Sequence, residues 1–269
     1  MLEPANNDVG DTPGDCGASA LLWQQADTVA TLLAMAPDLF GGVCLRAAPG
    51  PIRDHWLAQL TAGLHDKPCR RIPSHVTEAH LLGGLNLAAT LRSGHAVAEQ
   101  GLLAHCHGGV GVLAMAERCQ PQTVAHICQA LDRGEITVQR DGVHCSHPAQ
   151  FSVVALDEGL SDEHPATALT ERLAFHIDLH SISIRDIDDS EPRHIASAAE
   201  HYHHVSLSEE HDVHIASAAD ALGVESPRAW IFAMRTARAL AALAGRDSTT
   251  DDDIAGAIHL CLLHRATRL

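Results

Sequence analysis

The sequence predicts an α/β fold: a parallel sheet flanked by helices and interrupted by one β-hairpin, with a small all-α domain after it. Three observations carry that prediction. Residues 109–116 (Gly-Val-Gly-Val-Leu-Ala-Met-Ala) and 151–156 are short, continuously apolar runs. They are too short to span a membrane and too continuous for a one-sided strand, so they suit strands buried on both faces. Residues 135–140 and 143–147 alternate around Asp141-Gly142, a dipeptide that supplies the positive φ angles of a tight hairpin turn. Beyond the polar stretch 187–192 the pattern is helical to the end.

Composition bounds the rest. The chain has 269 residues, 46% of them apolar and only 3% aromatic, enough for a substantial core built from Ala, Leu, Val and Ile. A net charge of -16 without a Lys/Arg cluster argues against nucleic acid as the partner. The eight cysteines form no CxxC pair, which fits small buried hydrophobes in a reduced, cytoplasmic setting. No run approaches the roughly 18–20 apolar residues of a membrane helix, and no signal peptide pattern opens the chain.

In chain order, residues 1–18 are polar and rich in Gly, Pro and Asp, and a disordered arm is expected there. Residues 19–36 place Leu22, Ala26, Val29 and Leu33 along one helical face. A strand at 40–45 leads through Arg46-Ala47-Ala48-Pro49-Gly50-Pro51-Ile52-Arg53 into a helix ending at Leu64. Strand, glycine-containing turn and helix N-terminus are the geometry of a phosphate-binding loop, whose amides cradle phosphates while a lysine meets the outer ones. Laid on that motif, Arg46 stands at the first glycine and Pro51 at the second. Ile52 takes the lysine position and Arg53 that of the Mg-binding Ser/Thr. Proline has no amide hydrogen and isoleucine no charge, so the shape is kept without its chemistry. An ordinary strand-to-helix turn reads the same stretch.

Farther on, Gly83-Gly84 permits a bend and Gly94 ends a helix. Glu117 reads as a solvated helix-start acid. Residues 121–131 form a helix, with Val124, Ile127, Cys128 and Leu131 on one face and Gly134 as its stop. Residues 166–178 give a short helix and a strand, with Arg172 between them. The polar stretch 187–192 divides a core at 19–190 from a helical domain at 191–269. There, Ser206-x-x-Glu209 reads as a capping box, Ser226-Pro227 as a helix start carrying Arg228, and Thr250-x-x-Asp253 as the last helix start. His201, His203 and His204 lack a Cys or carboxylate partner at ligand spacing, so a solvated histidine face is expected and no metal site.

The order strand, helix, hairpin, strand, with Gly101-Leu102-Leu103-Ala104 ahead of it, resembles the AAA+ modules of magnesium chelatases, and among them the D subunit. The ATP-hydrolysing I subunit has an Asp-Glu pair where this chain reads Ala114-Met115. The resemblance implies a degenerate P-loop-type AAA+ core with a small α-helical lid. It places a degenerate loop at Arg46, Pro49, Gly50, Pro51, Ile52 and Arg53, and a degenerate Walker B pair at Ala114 and Met115. The sensor 1 region falls at Asp157, an arginine finger acting in trans at Arg172, and sensor 2 at Arg228. It further implies a non-hydrolysing subunit in a hetero-oligomeric ring with the I subunit, ATP and Mg²⁺ at the shared interface, and the H subunit as porphyrin carrier. The product would be Mg-protoporphyrin IX for (bacterio)chlorophyll synthesis. The proline-rich acidic linker and integrin-like domain that follow in that family are not found in this sequence. A MoxR-like regulatory scaffold and an active ATPase with an atypical site are the alternatives.

Overall fold

The two continuously apolar runs become neighbouring central strands. A computed structural model describes residues 15–140, 143–160, 162–187 and 195–268. Helix α1 (Asp15–Met35) precedes β1 (Gly42–Arg46), α2 (Pro51–Leu64) and β2 (Cys69–Ile72). An insertion follows, comprising α3 (Glu78–Leu82), β3 (Gly83–Leu85), α4 (Leu87–Ser93) and β4 (Ala98–Gln100). Then come β5 (Val110–Leu113), α5 (Pro121–Arg133), the hairpin β6 (Glu135–Arg140) and β7 (Val143–Pro148), β8 (Ser152–Asp157), α6 (Thr167–Thr170) and β9 (Phe175–Asp178). The helical region has α7 (Ile195–His201), α8 (Glu209–Ala221), α9 (Pro227–Leu243) and α10 (Asp251–Cys261).

Five strands form one sheet in the order β2-β5-β8-β1-β9, and every neighbouring pair is parallel. Because β8 is buried along its whole length, it can be apolar on both faces, which is why it reads as a continuous run. The hairpin pairs in the register Glu135↔Pro148 through Arg140↔Val143, while the expected Asp141-Gly142 turn lies outside the described residues. In the insertion, β3 and β4 meet glycine to backbone. Gly83 has φ +93, and a Cβ there would lie 2.2 Å from the Glu99 carbonyl oxygen, so only glycine fits.

One core layer lies between the sheet, α1, α2 and the helical region, with Trp23, Leu33, Phe40, Trp56, Phe175 and Phe232 all buried. The Trp56 indole donates to the Ala26 carbonyl at 2.7 Å, which satisfies its one polar atom inside that layer. The opposite face packs Ile72, Val124, Ile127 and Phe151.

Three local expectations change. Helix α1 starts at Asp15, so residues 15–18 of the expected arm are helical; residues 1–14 lie outside the described residues. On α1 the buried stripe follows Trp23 and leaves Leu22 exposed, because the larger ring takes the slot toward α2. The cap of α8 is Ser208, whose side chain accepts from the His211 amide. Ser206 instead bridges to the 247–248 segment, its hydroxyl donating to the Asp247 carbonyl. At α10 the expected box is present, since Thr250 and Asp253 cap each other reciprocally. Residues 188–194, where the expected boundary falls, are outside the described residues.

Candidate functional site

The parallel sheet has two chemically different edges. At the carboxyl ends of the strands, β1 closes on Arg46 and β8 on Asp157, which are paired in register. Asp157 is buried, its Oδ2 3.3 Å from Arg46 Nη1 and its Oδ1 accepting from the Gly159 amide. Arg46 also reaches the His164 ring and the Leu160 carbonyl. One turn into α2, Arg53 places Nη1 2.9 Å from Glu158 Oε1. Both guanidiniums of the loop are therefore neutralised by the last residue of β8 and the one that follows it. Ile52 packs against the core, and Pro51 begins α2 at its first turn. Burial, with Asp157 close by, pushes the neighbouring Cys44 thiol up to about 12, so this thiol is a packing group.

Ala114 is buried at the end of β5, and Met115 adopts a left-handed backbone with φ 48. Neither side chain offers an oxygen to hold Mg²⁺. Glu117 corrects an expectation: its side chain is fully buried instead of solvated. Its Oε2 accepts from the Glu158 amide, while Arg118 Nε lies 3.6 Å from its Oε1. Sequence reasoning missed this because burial here is imposed by the 157–159 turn, 40 residues away.

The amino ends of the same strands present the other edge. A cavity of about 290 Å³ is lined by four arginines (Arg133, Arg172, Arg228 and Arg235) and two aspartates (Asp38 and Asp132). Gly41 and Phe151, just ahead of β1 and β8, form its floor. The β1 strand separates this edge from the loop by roughly 15 Å. Arg172, between α6 and β9, bonds Asp132 Oδ2 through Nε at 2.9 Å and Nη2 at 2.6 Å, and donates from Nη1 to the Ala168 carbonyl at 2.7 Å. Arg228, in the first turn of α9, lies 3.1 Å from Asp132 Oδ1. Arg235 anchors α9 by donating to the Leu39 carbonyl at 2.7 Å. Burial alone would raise the Asp132 carboxyl, but bonds and charge from Arg172 and Arg228 outweigh it and hold the group below the usual range.

The structure thus sorts the expected site residues into two groups. Arg46, Pro49, Gly50, Pro51, Ile52, Arg53, Ala114, Met115 and Asp157 gather at the carboxyl edge. Arg172 and Arg228 gather at the amino edge, so Arg228 does not face this chain's own loop. The residue that joins the last two, Asp132, left no signal in the sequence beyond an acid in the last turn of α5, where the helix dipole disfavours it unless it is paired. The histidine group also resolves: α7 ends at His201, whose ring contacts the Arg246 carbonyl at 3.0 Å, while His203 and His204 are exposed. No group of three or more His, Cys, Asp or Glu able to hold a metal occurs among the described residues, and no helix among them is long and apolar enough to cross a membrane.

Sheet, hairpin and helical region define an AAA-type α/β fold. The AAA lid domain family matches residues 213–269. A crystal structure of an ATPase candidate from Cytophaga hutchinsonii superposes with a TM-score of 0.64 over 93% of this chain and 89% of that one. Its 15% identity shows the fold alone. The chain is 33% identical over 260 residues to the magnesium-chelatase 67 kDa subunit of Chlorobaculum parvum, covering 88% of this chain and 42% of that protein. It is 35% identical over 247 residues to the magnesium-chelatase 60 kDa subunit of Cereibacter sphaeroides, covering 91% of this chain and 41% of that protein. The chain belongs to the magnesium-chelatase family, on the side of these 60–67 kDa subunits, and spans about two-fifths of their length.

Proposed function

We propose that this chain is the non-hydrolysing AAA+ module of a magnesium chelatase and that it completes a nucleotide site on a neighbouring ATPase subunit. The observation that carries the reading is the division of charge between the two sheet edges. At its own loop the chain lacks the lysine, the hydroxyl and the carboxylates that grip Mg-ATP. The two guanidiniums there are already paired, so a Mg-nucleotide does not fit this edge. At the amino edge four arginines face two aspartates in a chain of net charge -16, a local excess suited to phosphate oxygens.

A guanidinium stays charged and can bridge two oxygens of a phosphoryl group as charge develops on them. Arg172, and beside it Arg228, would do this for a nucleotide held by the I subunit. In that reading ATP and Mg²⁺ sit at the shared interface, the H subunit carries the porphyrin, and the assembly inserts Mg²⁺ as substrate into protoporphyrin IX in (bacterio)chlorophyll synthesis. The whole is an ATP-dependent metal–nitrogen ligase acting in the cytoplasm.

The test mixes the purified chain with an I subunit and follows ATP turnover with and without Arg172→Ala. Turnover that depends on the chain and is lost with Arg172→Ala supports the reading. Turnover by the chain alone would make it an active ATPase, and indifference of the I subunit to the chain would favour a regulatory scaffold for another partner.

A further inference from the structure

We propose that Asp132 is an internal counter-ion that keeps the Arg172–Arg228 pair closed to free anions until a neighbouring subunit supplies a phosphate to displace it. The proposal rests on the reading that this edge serves phosphate, and it adds a gate to that edge.

Asp132 uses both carboxylate oxygens, Oδ2 on Arg172 and Oδ1 on Arg228. It thereby touches both guanidiniums and holds them on two oxygens of a single anion. That is also the relation two oxygens of one phosphoryl group would impose. A carboxylate in this place makes the pair poor at catching a free anion. A phosphate arriving in contact with the arginines meets the Asp132 carboxylate beside them, where like charges repel. Escape is also available to the carboxylate, because its side chain is 32% exposed and sits on the last turn of α5, where the helix dipole opposes a negative charge. Arg172 does not depend on Asp132 for its whole placement, since it also donates to the Ala168 carbonyl. Arg228 is carried by α9, which is independently pinned through Arg235 to Leu39. Loss of the carboxylate therefore leaves Arg172 held by the Ala168 carbonyl and Arg228 on an anchored helix, both without their shared counter-ion.

The experiment titrates the chain alone with inorganic pyrophosphate, in magnesium-free buffer of low ionic strength, by calorimetry. Asp132→Asn is expected to bind at least tenfold more tightly than the unaltered chain, and adding Arg172→Ala to that variant is expected to return affinity to the starting level. Asp132→Ser carries the same expectation should the asparagine variant fold poorly. Equal affinity of the unaltered chain and a folded Asp132 variant overturns the proposal, as does a gain that survives Arg172→Ala. No partner subunit is present in this assay. Its failure would leave the trans-acting reading standing, which falls only when Arg172→Ala leaves the mixed turnover intact.

Discussion

The two edges of one parallel sheet hold arginines in opposite circumstances. At the carboxyl edge Arg46 meets Asp157 at the end of β8 and Arg53 meets Glu158 just after it, and Asp157 is buried. At the amino edge Arg172 and Arg228 share one half-exposed aspartate, with Arg133 and Arg235 beside them. The first arrangement is closed by the chain itself and serves stability. The second is unbalanced and partly exposed, and it is the edge we propose serves a partner. The difference teaches that arginines on one sheet can be spent as internal mortar at one edge and left in excess over their acids at the other.

Substitutions can break or sharpen this contrast. The largest effect is expected from Arg172→Ala: turnover of the mixture with the I subunit should fall by about 1000-fold, the lower range for an arginine finger, while the melting temperature of the chain changes little, as is usual for partly exposed pairs. A steady-state assay beside a thermal melt reads both. At the other edge the pattern reverses. Arg46→Ala strands the buried Asp157 and should cost about 3 kcal/mol in denaturant unfolding, with turnover per folded molecule unchanged.

The lid that presents Arg228 offers a third probe. Burial would raise the Asp253 carboxyl, but bonds from Arg246 and Thr250 hold it below the ordinary 3.8. A carboxyl lowered on folding stabilises fully above that ordinary value and loses its contribution as pH falls below it toward the folded-state value. Melting temperature followed from pH 6 to pH 2 should therefore drop below about pH 4, and Asp253→Asn should flatten that drop while costing about 2 kcal/mol at neutral pH. The smallest effect belongs to Glu117→Gln, which removes a buried charge yet keeps an oxygen for the Glu158 amide. Stability should stay within about 1 kcal/mol and mixed turnover should be unaltered; a collapse of turnover would show that Glu117 does the work of the missing Walker B acid.

Much of this molecule is legible before folding, because its local signals and its tertiary demands agree. The continuous runs at 109–116 and 151–156 announce strands buried on both faces, and β5 and β8 are adjacent in the sheet. The loop from Arg46 to Arg53 shows its missing amide and missing lysine directly. What stayed illegible is long-range. Ser206 reads as the cap until the contact with residue 247 claims it and Ser208 caps α8 instead. Glu117 looks like a surface acid until the turn at Glu158 covers it.

The sequence by itself determined the parallel sheet with its hairpin, the helical lid, and a nucleotide loop without its charged working parts, since periodicity, turn chemistry and side-chain identity are local properties. Only the tertiary structure decided where the remaining charges point. It turned Arg46 and Arg53 inward onto Asp157 and Glu158, and it brought Arg172, ahead of β9, and Arg228, on α9, onto Asp132. Ion pairs between residues 40 or more positions apart depend on how sheet and lid pack, and no local pattern encodes that.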